Sequence, residues 1–198
     1  MSEFSDLYKE IERCQECALA RNRNRVVPGE GPSSARIMFI GEAPGFYEDQ
    51  QGRPFVGPAG QFLEQLLASI GLTRDRVYIA NVIKCRPPSN RDPLPGEIEA
   101  CGKWLDKQID MIRPDIIITL GRYSMAKFFP DESISKIHGR PKFGGNTVYF
   151  PMYHPAAALH QGNLRRVIEA DMLKIPDLLS ARVKAEPVSP EGKQLNLL

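Results

Sequence analysis

Four cysteines are the residues whose type and spacing most directly suggest chemistry in this sequence. Cys14 and Cys17 form a C-x2-C pair, and 15 residues separate Cys85 from Cys101. Four thiolates can hold a zinc ion or an iron–sulfur cluster, and the spacing does not choose between them. The alternative is four unrelated buried cysteines, since free cysteine often packs as a small apolar residue. We expect one four-thiolate site that ties the N-terminal segment to the rest of the protein.

A second group of candidate residues lies where predicted strands end. Gly41–Gly45 (GEAPG) follows the first apolar run, Asn81 ends the second, and His154 follows the fourth. Ligands of parallel sheets bind outside the carboxyl ends of the strands, so we expect these residues to converge at one edge. An Asn amide can read a base edge because it donates and accepts together, and Phe55, in a loop rich in Pro and Gly, can stack on a flat ligand. Each also has an ordinary interpretation. Gly41–Gly45 and Asn81 can be turn residues, Phe55 a core residue and His154 a surface residue.

Hydrophobic patterns predict the elements that position these residues. Helices are predicted over 4–13, 59–70, 97–112 and 163–175, with a short one after 121; strands over 36–40, 76–82, 115–120 and 147–152; and long loops over 41–58 and 84–95. Strands alternate with helices and are continuous apolar runs. This pattern indicates an α/β fold with a parallel sheet covered on both faces.

Composition narrows the class of protein. The chain has 198 residues, 42% hydrophobic and 25% charged, which is typical of one globular domain and excludes a wholly disordered chain. The net charge of +2 excludes a strongly basic coat but allows a local basic groove. No apolar run approaches the ~20 residues of a membrane helix, and the first residues are too polar for a signal peptide. We therefore expect a cytoplasmic protein with no membrane association, one domain over 1–185 and a disordered tail over 186–198.

Taken together, these segments resemble the family 4 uracil-DNA glycosylases, the iron–sulfur branch of the uracil glycosylase superfamily. The matching segments follow the family's order and spacing: Cys14–Cys17, Gly41–Gly45, Gly52–Gly57, Asn81–Pro88, Cys101 and His154–Ala157. The resemblance covers roughly residues 5–180. It implies a three-layer α/β/α fold with a central four-stranded parallel sheet. It also implies that Cys14, Cys17, Cys85 and Cys101 ligate a [4Fe-4S] cluster, with zinc as the alternative.

The resemblance further implies a monofunctional uracil-DNA glycosylase of base excision repair. Such an enzyme hydrolyses the N-glycosidic bond of deoxyuridine in single- or double-stranded DNA and leaves free uracil and an abasic site. Asn81 would read the uracil edge and reject cytosine, and His154 would stabilise the anionic O2 of the leaving base. Ala43 stands where the best-known uracil glycosylases carry a water-positioning Asp. Water activation or cation stabilisation is therefore assigned to the neighbouring Glu42.

The substrate-binding residues implied by the resemblance surround the same base. Phe55 would stack on the ring, and Glu48 would exclude the 5-methyl group of thymine. Residues 156–159 would form a loop that enters the minor groove, with Leu159 as a wedge into the base stack. The full implied set of substrate-binding residues is Gly41, Ala43, Glu48, Phe55, Asn90 and Leu159.

Two other functions are consistent with the same fold. A non-turnover or covalent binder of uracil-containing DNA would share the pocket, but the covalent branch uses a His in an inserted loop, and residues 86–92 contain neither His nor insertion. A flavodoxin-type electron carrier should have a phosphate loop rich in Ser and Thr, which 41–45 lacks. We expect a monomer. The apolar end of the tail, 194–198, is a candidate docking segment for a sliding clamp, and a frayed tail is the simpler interpretation.

Overall fold

A five-stranded sheet forms the centre of the fold in the computed structural model, which describes residues 3–185. The strands are β1 (Ile37–Gly41), β2 (Tyr78–Asn81), β3 (Ile116–Leu120), β4 (Lys142–Gly144) and β5 (Thr147–Met152). Their order is β2-β1-β3-β5-β4. The first four in that order are parallel, and β4 pairs antiparallel with β5 at one edge. The tail predicted over 186–198 and its docking segment lie outside the described residues.

The predicted α/β fold is confirmed, but the strand count of four was too low. The missed strand, β4, is only three residues long, and Phe143 within it is exposed. A two-residue turn at Gly145–Asn146 joins it to β5, with Gly145 at a φ of 57°. A short exposed edge strand has no hydrophobic pattern, because its pairing rather than its burial defines it.

Nine α-helices within residues 3–185 surround the sheet. They are α1 (Glu3–Arg13), α2 (Phe46–Gln51), α3 (Pro58–Ser69), α4 (Pro95–Ile112), α5 (Arg122–Ala126), α6 (Ile134–Ile137), α7 (Pro155–His160), α8 (Gly162–Met172) and α9 (Ile175–Ala185). In the described part of the chain the longest is α4, with 18 residues, and no helix there is apolar and long enough to cross a membrane.

Two loop predictions and one helix prediction need correction. The predicted loop over 41–58 contains α2, which ends at Gly52 with a left-handed φ of 71°. The predicted minor-groove loop over 156–159 is the helix α7, which has Pro155 in its first turn, a position that suits proline's fixed φ. The predicted helix over 163–175 is α8, which ends at Met172, and sequence reasoning missed the separate helix α9 that follows, where Pro176 in the first turn lacks the N–H needed to continue α8.

Alternate side chains of the four parallel strands belong to two separate hydrophobic cores. Ile37 and Phe39 of β1 belong to one core, and Met38 and Ile40 belong to the other. The first core contains buried residues of α3, α8 and α9, namely Phe62, Leu63, Leu66, Leu67, Ile168, Met172 and Ile175. The second contains buried residues of α1 and α4, namely Leu7, Ile11, Cys101, Trp104, Leu105 and Ile112. Because both faces of the sheet are covered, the strand ends are where polar side chains can meet a ligand.

Candidate functional site

An open cleft of about 500 Å³ lies at the carboxyl ends of the parallel strands. Glu42 and Ala43 enter it directly after β1, Asn81 enters at the end of β2, and His154 enters just after β5. All three predicted catalytic residues and five of the six predicted substrate-binding residues line it: Glu42, Asn81, His154, Ala43, Glu48, Phe55, Asn90 and Leu159. The predicted convergence of the strand ends is therefore present in the structure.

Gly41, the remaining predicted residue, lies beneath the cleft. A Cβ added there would stand 2.7 Å from the Phe55 ring and closer still to Asn81 Oδ1. Real Cβ atoms do not approach other atoms this closely. Glycine is thus required at the end of β1 because it lets the Asn81 amide and the Phe55 ring meet over the backbone.

The Asn81 side chain presents a hydrogen-bond acceptor that the rest of the described chain does not use. The residue is 2% exposed, and its backbone is fixed by pairing with Gly41 in the sheet. Its Oδ1 is buried and has no partner among residues 3–185. A buried polar atom without a partner costs about 1–3 kcal/mol, so such atoms are rare and call for an explanation. An acceptor of this kind at a cleft wall is suited to an N–H group of a ligand.

His154 is held as a neutral imidazole with a defined tautomer. Burial lowers the pKa of His154 to about 4, so the ring is uncharged at neutral pH. Its Nδ1 accepts a hydrogen bond of 3.1 Å from the Ala156 N–H at the start of α7. A neutral ring that accepts at Nδ1 carries its proton on Nε2, which leaves Nε2 as a donor. Such a donor stabilises an oxygen that gains negative charge.

Phe55 forms an aromatic wall next to this donor. Its ring stacks on His154, with centroids 5.5 Å apart and planes 25° apart. The backbone at Phe55 is left-handed, with a φ of 52°, which is uncommon for an aromatic residue. Two hydrogen bonds from the Arg74 guanidinium, 2.9 Å to the carbonyl oxygen of Phe55 and 2.6 Å to that of Pro54, hold it there. Strain of this kind is found at sites where the surroundings fix a functional side chain.

Glu48 connects the two loops that form the cleft. Its Oε1 accepts from the backbone N–H groups of Val56 and Gly57, each at 3.0 Å, and its Oε2 accepts from Gly45 N–H at 3.1 Å. Three backbone donors on one carboxylate make a rigid junction between the GEAPG segment and the segment that carries Phe55. The structure therefore gives Glu48 a loop-organising contact that its sequence position did not predict.

The Glu42 carboxyl lies in an environment that favours its neutral form. Burial, helped by the nearby Asp92 carboxylate, raises the pKa of Glu42 to about 7, while Arg122 acts in the opposite direction. Asp92 and Arg122 are themselves joined by an ion pair. A carboxyl with a pKa close to neutral can take up a proton during a reaction, which is the property expected of a general base.

The rim of the cleft is apolar and exposed. Phe46, Tyr47 and Leu159 all line it, with exposures of 50%, 51% and 47%. Leu159 occupies the last turn of α7, which corrects the predicted loop but keeps the side chain at the rim. Sequence reasoning missed Phe46 and Tyr47, although two adjacent aromatic residues directly after GEAPG were a usable signal.

Asn90 belongs to the same rim. It has a left-handed φ of 54°, and its Oδ1 accepts a hydrogen bond of 2.7 Å from Arg86 Nε. The Arg86 guanidinium in turn lies 5.1 Å from the centre of the Phe46 ring. One arginine therefore joins the loop after β2 to the first residue of α2.

The four cysteines surround a second, smaller cavity next to the hydrophobic core that contains residues of α1 and α4. Cys85 and Cys101 are buried, and Cys14 and Cys17 are half-buried. Arg23 Nη1 donates to Cys85 Sγ, and the Lys84 N–H donates to Cys101 Sγ, both at 3.2 Å. Burial raises the pKa of Cys101 to about 11, so a ligand role for this thiol requires a metal to displace its proton. Convergence of all four thiols, with N–H donors to two sulfurs, fits a thiolate-bound metal group.

The donor set by itself admits two kinds of metal group. Four thiolates can hold one zinc ion or an iron–sulfur cluster. Within residues 3–185, no group of three or more His, Cys, Asp or Glu side chains is already arranged to hold a metal ion, although the four thiols line one cavity.

Sequence comparison identifies the family of the chain. The family model described as Uracil DNA glycosylase superfamily matches residues 28–173, which include the whole cleft. This chain belongs to the uracil DNA glycosylase superfamily. The predicted resemblance is thereby confirmed, and the superfamily assignment favours the glycosylase hypothesis over the flavodoxin-type alternative.

Relatives of this superfamily member match nearly all of its length. The type-4 uracil-DNA glycosylase of Sulfurisphaera tokodaii is 48% identical over 188 residues, 90% of this chain and 86% of that protein. Those of Saccharolobus solfataricus and Thermotoga maritima are 49% and 45% identical, over 87% and 83% of this chain and 85% and 88% of those proteins.

Proposed function

We propose that this protein is a monofunctional uracil-DNA glycosylase that hydrolyses the N-glycosidic bond of deoxyuridine in DNA. The observation that carries the proposal is the buried, unpartnered Oδ1 of Asn81 beside the Phe55–His154 stack. The type-4 uracil-DNA glycosylases that resemble the chain over most of its length support it. A base in a duplex must leave the stack to reach such a cleft, at a cost of a few kcal/mol.

Base recognition follows from the donors and acceptors of the Asn81 amide. Uracil presents a ring N–H next to a carbonyl, so Oδ1 can accept from the N–H while Nδ2 donates to the carbonyl. Cytosine presents an unprotonated ring nitrogen and an amine in the same places, which sets like groups against each other. Phe55 stacks on the ring, the backbone at Gly41 and Ala43 allows close approach, and Glu48 holds the loop that faces the 5-position.

Bond cleavage requires stabilisation of charge on both sides of the glycosidic bond. As the bond breaks, the electron pair leaves with uracil, and the sugar acquires cationic character. The Nε2–H of neutral His154 donates to the uracil oxygen on which negative charge develops. Ionised Glu42 stabilises the cation and accepts a proton from the water that attacks the sugar, and the released base is protonated from solvent.

We infer that the exposed rim contacts DNA around the extruded nucleotide. Leu159 can insert into the space that the base leaves, and Phe46 and Tyr47 offer faces for stacking on neighbouring bases. The net charge of +2 is consistent with few phosphate contacts. The rim serves single- or double-stranded uracil-containing DNA, and the protein acts as a monomer.

We also infer that Cys14, Cys17, Cys85 and Cys101 hold a [4Fe-4S] cluster. When bound, the group cross-links the N-terminal segment, the loop after β2 and α4, and it supplies no step of the hydrolysis. The side chain of Arg23 and the backbone of Lys84 donate to cluster sulfur ligands.

The proposed function is tested by multiple-turnover release of free uracil from an oligonucleotide that contains one deoxyuridine. Wild-type protein is expected to release many equivalents of uracil, and His154→Ala to lower kcat about 100- to 1,000-fold, because one donor to the leaving oxygen is lost. His160→Ala, at the exposed end of the same helix, is the matched control and should leave kcat unchanged. Tight binding without release, or one equivalent of product in a covalent adduct, would show a binder instead.

The pH dependence of kcat/KM should reveal Glu42. Because its pKa is about 7 and its ionised form is active, kcat/KM should rise about tenfold per pH unit below 7 and level off above it. The pKa of His154 is about 4, so its protonation does not affect kcat/KM in this pH range.

Two variants test the assignment. Glu42→Gln should lower the rate and remove the step near pH 7. Asp92→Asn should move the step to lower pH, because it removes a negative charge that opposes ionisation. A wild-type kcat/KM that stays constant from about pH 5 to about pH 8 would contradict the role of Glu42.

A further inference from the structure

Lys84 is a fully buried lysine between the two sites. It lies three residues after Asn81 and directly before Cys85, and only 1% of it is exposed. Lysine is almost never buried to this extent unless its ammonium is fully engaged. Its position and burial indicate a specific role, because a lysine with no role would be replaced at low cost by an apolar residue.

Three hydrogen bonds connect Lys84 to both sites. Its Nζ donates to the carbonyl oxygen of Asn81 at 2.8 Å and to Gln108 Oε1 at 2.8 Å. Its backbone N–H donates to Cys101 Sγ at 3.2 Å. One residue therefore contacts the backbone of the base-reading Asn81, the helix α4 and a thiol of the cysteine cavity.

The Gln108 amide is oriented so that only its oxygen can face Lys84. It is 0% exposed, and its Nε2 donates to the Pro28 carbonyl at 2.8 Å and to the Tyr78 hydroxyl at 2.9 Å. The Tyr78 hydroxyl is 2.7 Å from that of Tyr8, which donates to the Gly29 carbonyl at 3.0 Å. With its nitrogen committed to acceptors, the amide must present Oε1 to the ammonium. The network thus fixes Lys84 Nζ through a second acceptor besides the Asn81 carbonyl.

We propose that Lys84 is a positioning residue that holds the carbonyl of Asn81 against α4 and the cysteine site, so that the Asn81 amide faces the base. The inference rests on the proposed function, since it concerns how the uracil-reading amide is placed. Asn81 is the last residue of β2, and it pairs with Gly41 of β1. In the peptide that follows, the Val82 N–H donates to the Gly41 carbonyl at 3.0 Å, and the Asn81 carbonyl accepts from Lys84 Nζ at 2.8 Å. Lys84 therefore holds the carbonyl end of a peptide whose N–H is held by β1.

The test is a double-mutant cycle of Lys84→Met and Asn81→Ala in the full-length, iron-loaded protein. Lys84→Met is expected to keep its iron content and cooperative unfolding, and to lower kcat/KM for uracil release about 10- to 100-fold, as is typical for loss of a residue that orients a site side chain. The affinity for free uracil, measured by NMR titration, should fall by a similar factor. In the Asn81→Ala background the same change should cost less than about twofold, because its effect passes through Asn81.

The control is Lys103→Met, which removes an exposed lysine from α4 on the cysteine side and should leave iron content, uracil binding and rate unchanged.

Two outcomes would overturn the inference in favour of a purely structural role. One is that Lys84→Met lowers kcat/KM by the same factor with Asn81 and with Ala at position 81. The other is that Lys84→Met loses iron and shows no effect that depends on Asn81. If Lys84→Met does not fold, Gln108→Met provides the same cycle, because it removes the second acceptor of the ammonium and leaves residue 84 and the cysteines intact. Absence of uracil release by the wild type would overturn the proposed function itself. Normal release by the wild type, with the effects of Lys84→Met and Asn81→Ala simply adding in the double variant, would overturn this inference alone.

Discussion

Replacing Asn81 with Asp is expected to lower uracil release about 100- to 1,000-fold and to create measurable release of cytosine. An ionised carboxylate has no donor, so one oxygen can still accept from the uracil N–H, but the other oxygen faces the uracil carbonyl as acceptor against acceptor. At a position that is 2% exposed, the carboxyl takes its protonated form more easily than in water. A protonated carboxyl has one donor and one acceptor, and these can pair with the ring nitrogen and the amine of cytosine.

The measurement is release of each base from matched oligonucleotides that contain one deoxyuridine or one deoxycytidine. Asn146→Asp is the control, because it makes the same substitution at an exposed hairpin turn remote from the cleft. It should change neither rate. If Asn81→Asp loses uracil release as expected but releases no cytosine at any pH, Asn81 supports the pocket without reading the base edge.

Replacing Cys85 with Ala is expected to remove most of the bound iron and to destabilise the protein by about 3–5 kcal/mol, the range reached when a metal group is lost. For a domain of this size the midpoint of thermal unfolding should fall by about 6–20 °C. The loss is large because the four thiols draw together α1, the loop after β2 and α4, whose side chains share one hydrophobic core. Apart from Pro87, Asn90 and Arg91 of the loop after β2, the cleft is formed by other segments, so residual uracil release below the unfolding temperature should exceed that of the Asn81 variants.

Iron per chain, visible absorbance and calorimetric unfolding test this prediction together. Glu16→Gln is a suitable control, since Glu16 adjoins Cys17, is 46% exposed and ligates nothing in the proposed site. Loss of iron with an unchanged unfolding midpoint would contradict the stabilising role. Loss of uracil release from a variant that keeps both its fold and its iron would show that the cysteine site does more than stabilise.

The main elements and the edge on which the site forms were predictable from sequence because they depend on local patterns. A continuous apolar run such as Ile37–Ile40 has to be buried on both faces, and strands of this kind alternating with helices require a parallel sheet. The carboxyl ends of such strands meet, which brings Asn81 and His154 together without further information. Short elements were missed for the opposite reason. Side chain–backbone contacts stabilise α2 and α7, through Glu48 and His154 respectively, and these contacts are weakly encoded in hydrophobic periodicity.

The chemical state of each site residue was decided only by the tertiary structure. Sequence alone places Lys84 in a predicted loop and leaves the charge of His154 open, because it contains no information about burial by distant segments. Lys84 is buried by Gln108, 24 residues away, and Gln108 is fixed by Pro28, 80 residues away. The sequence by itself therefore determined which residues meet at the strand ends. Contacts between distant segments decided which nitrogen of His154 carries the proton and which oxygen of Asn81 is left for a base, because desolvation and hydrogen-bond partners are properties of the folded chain.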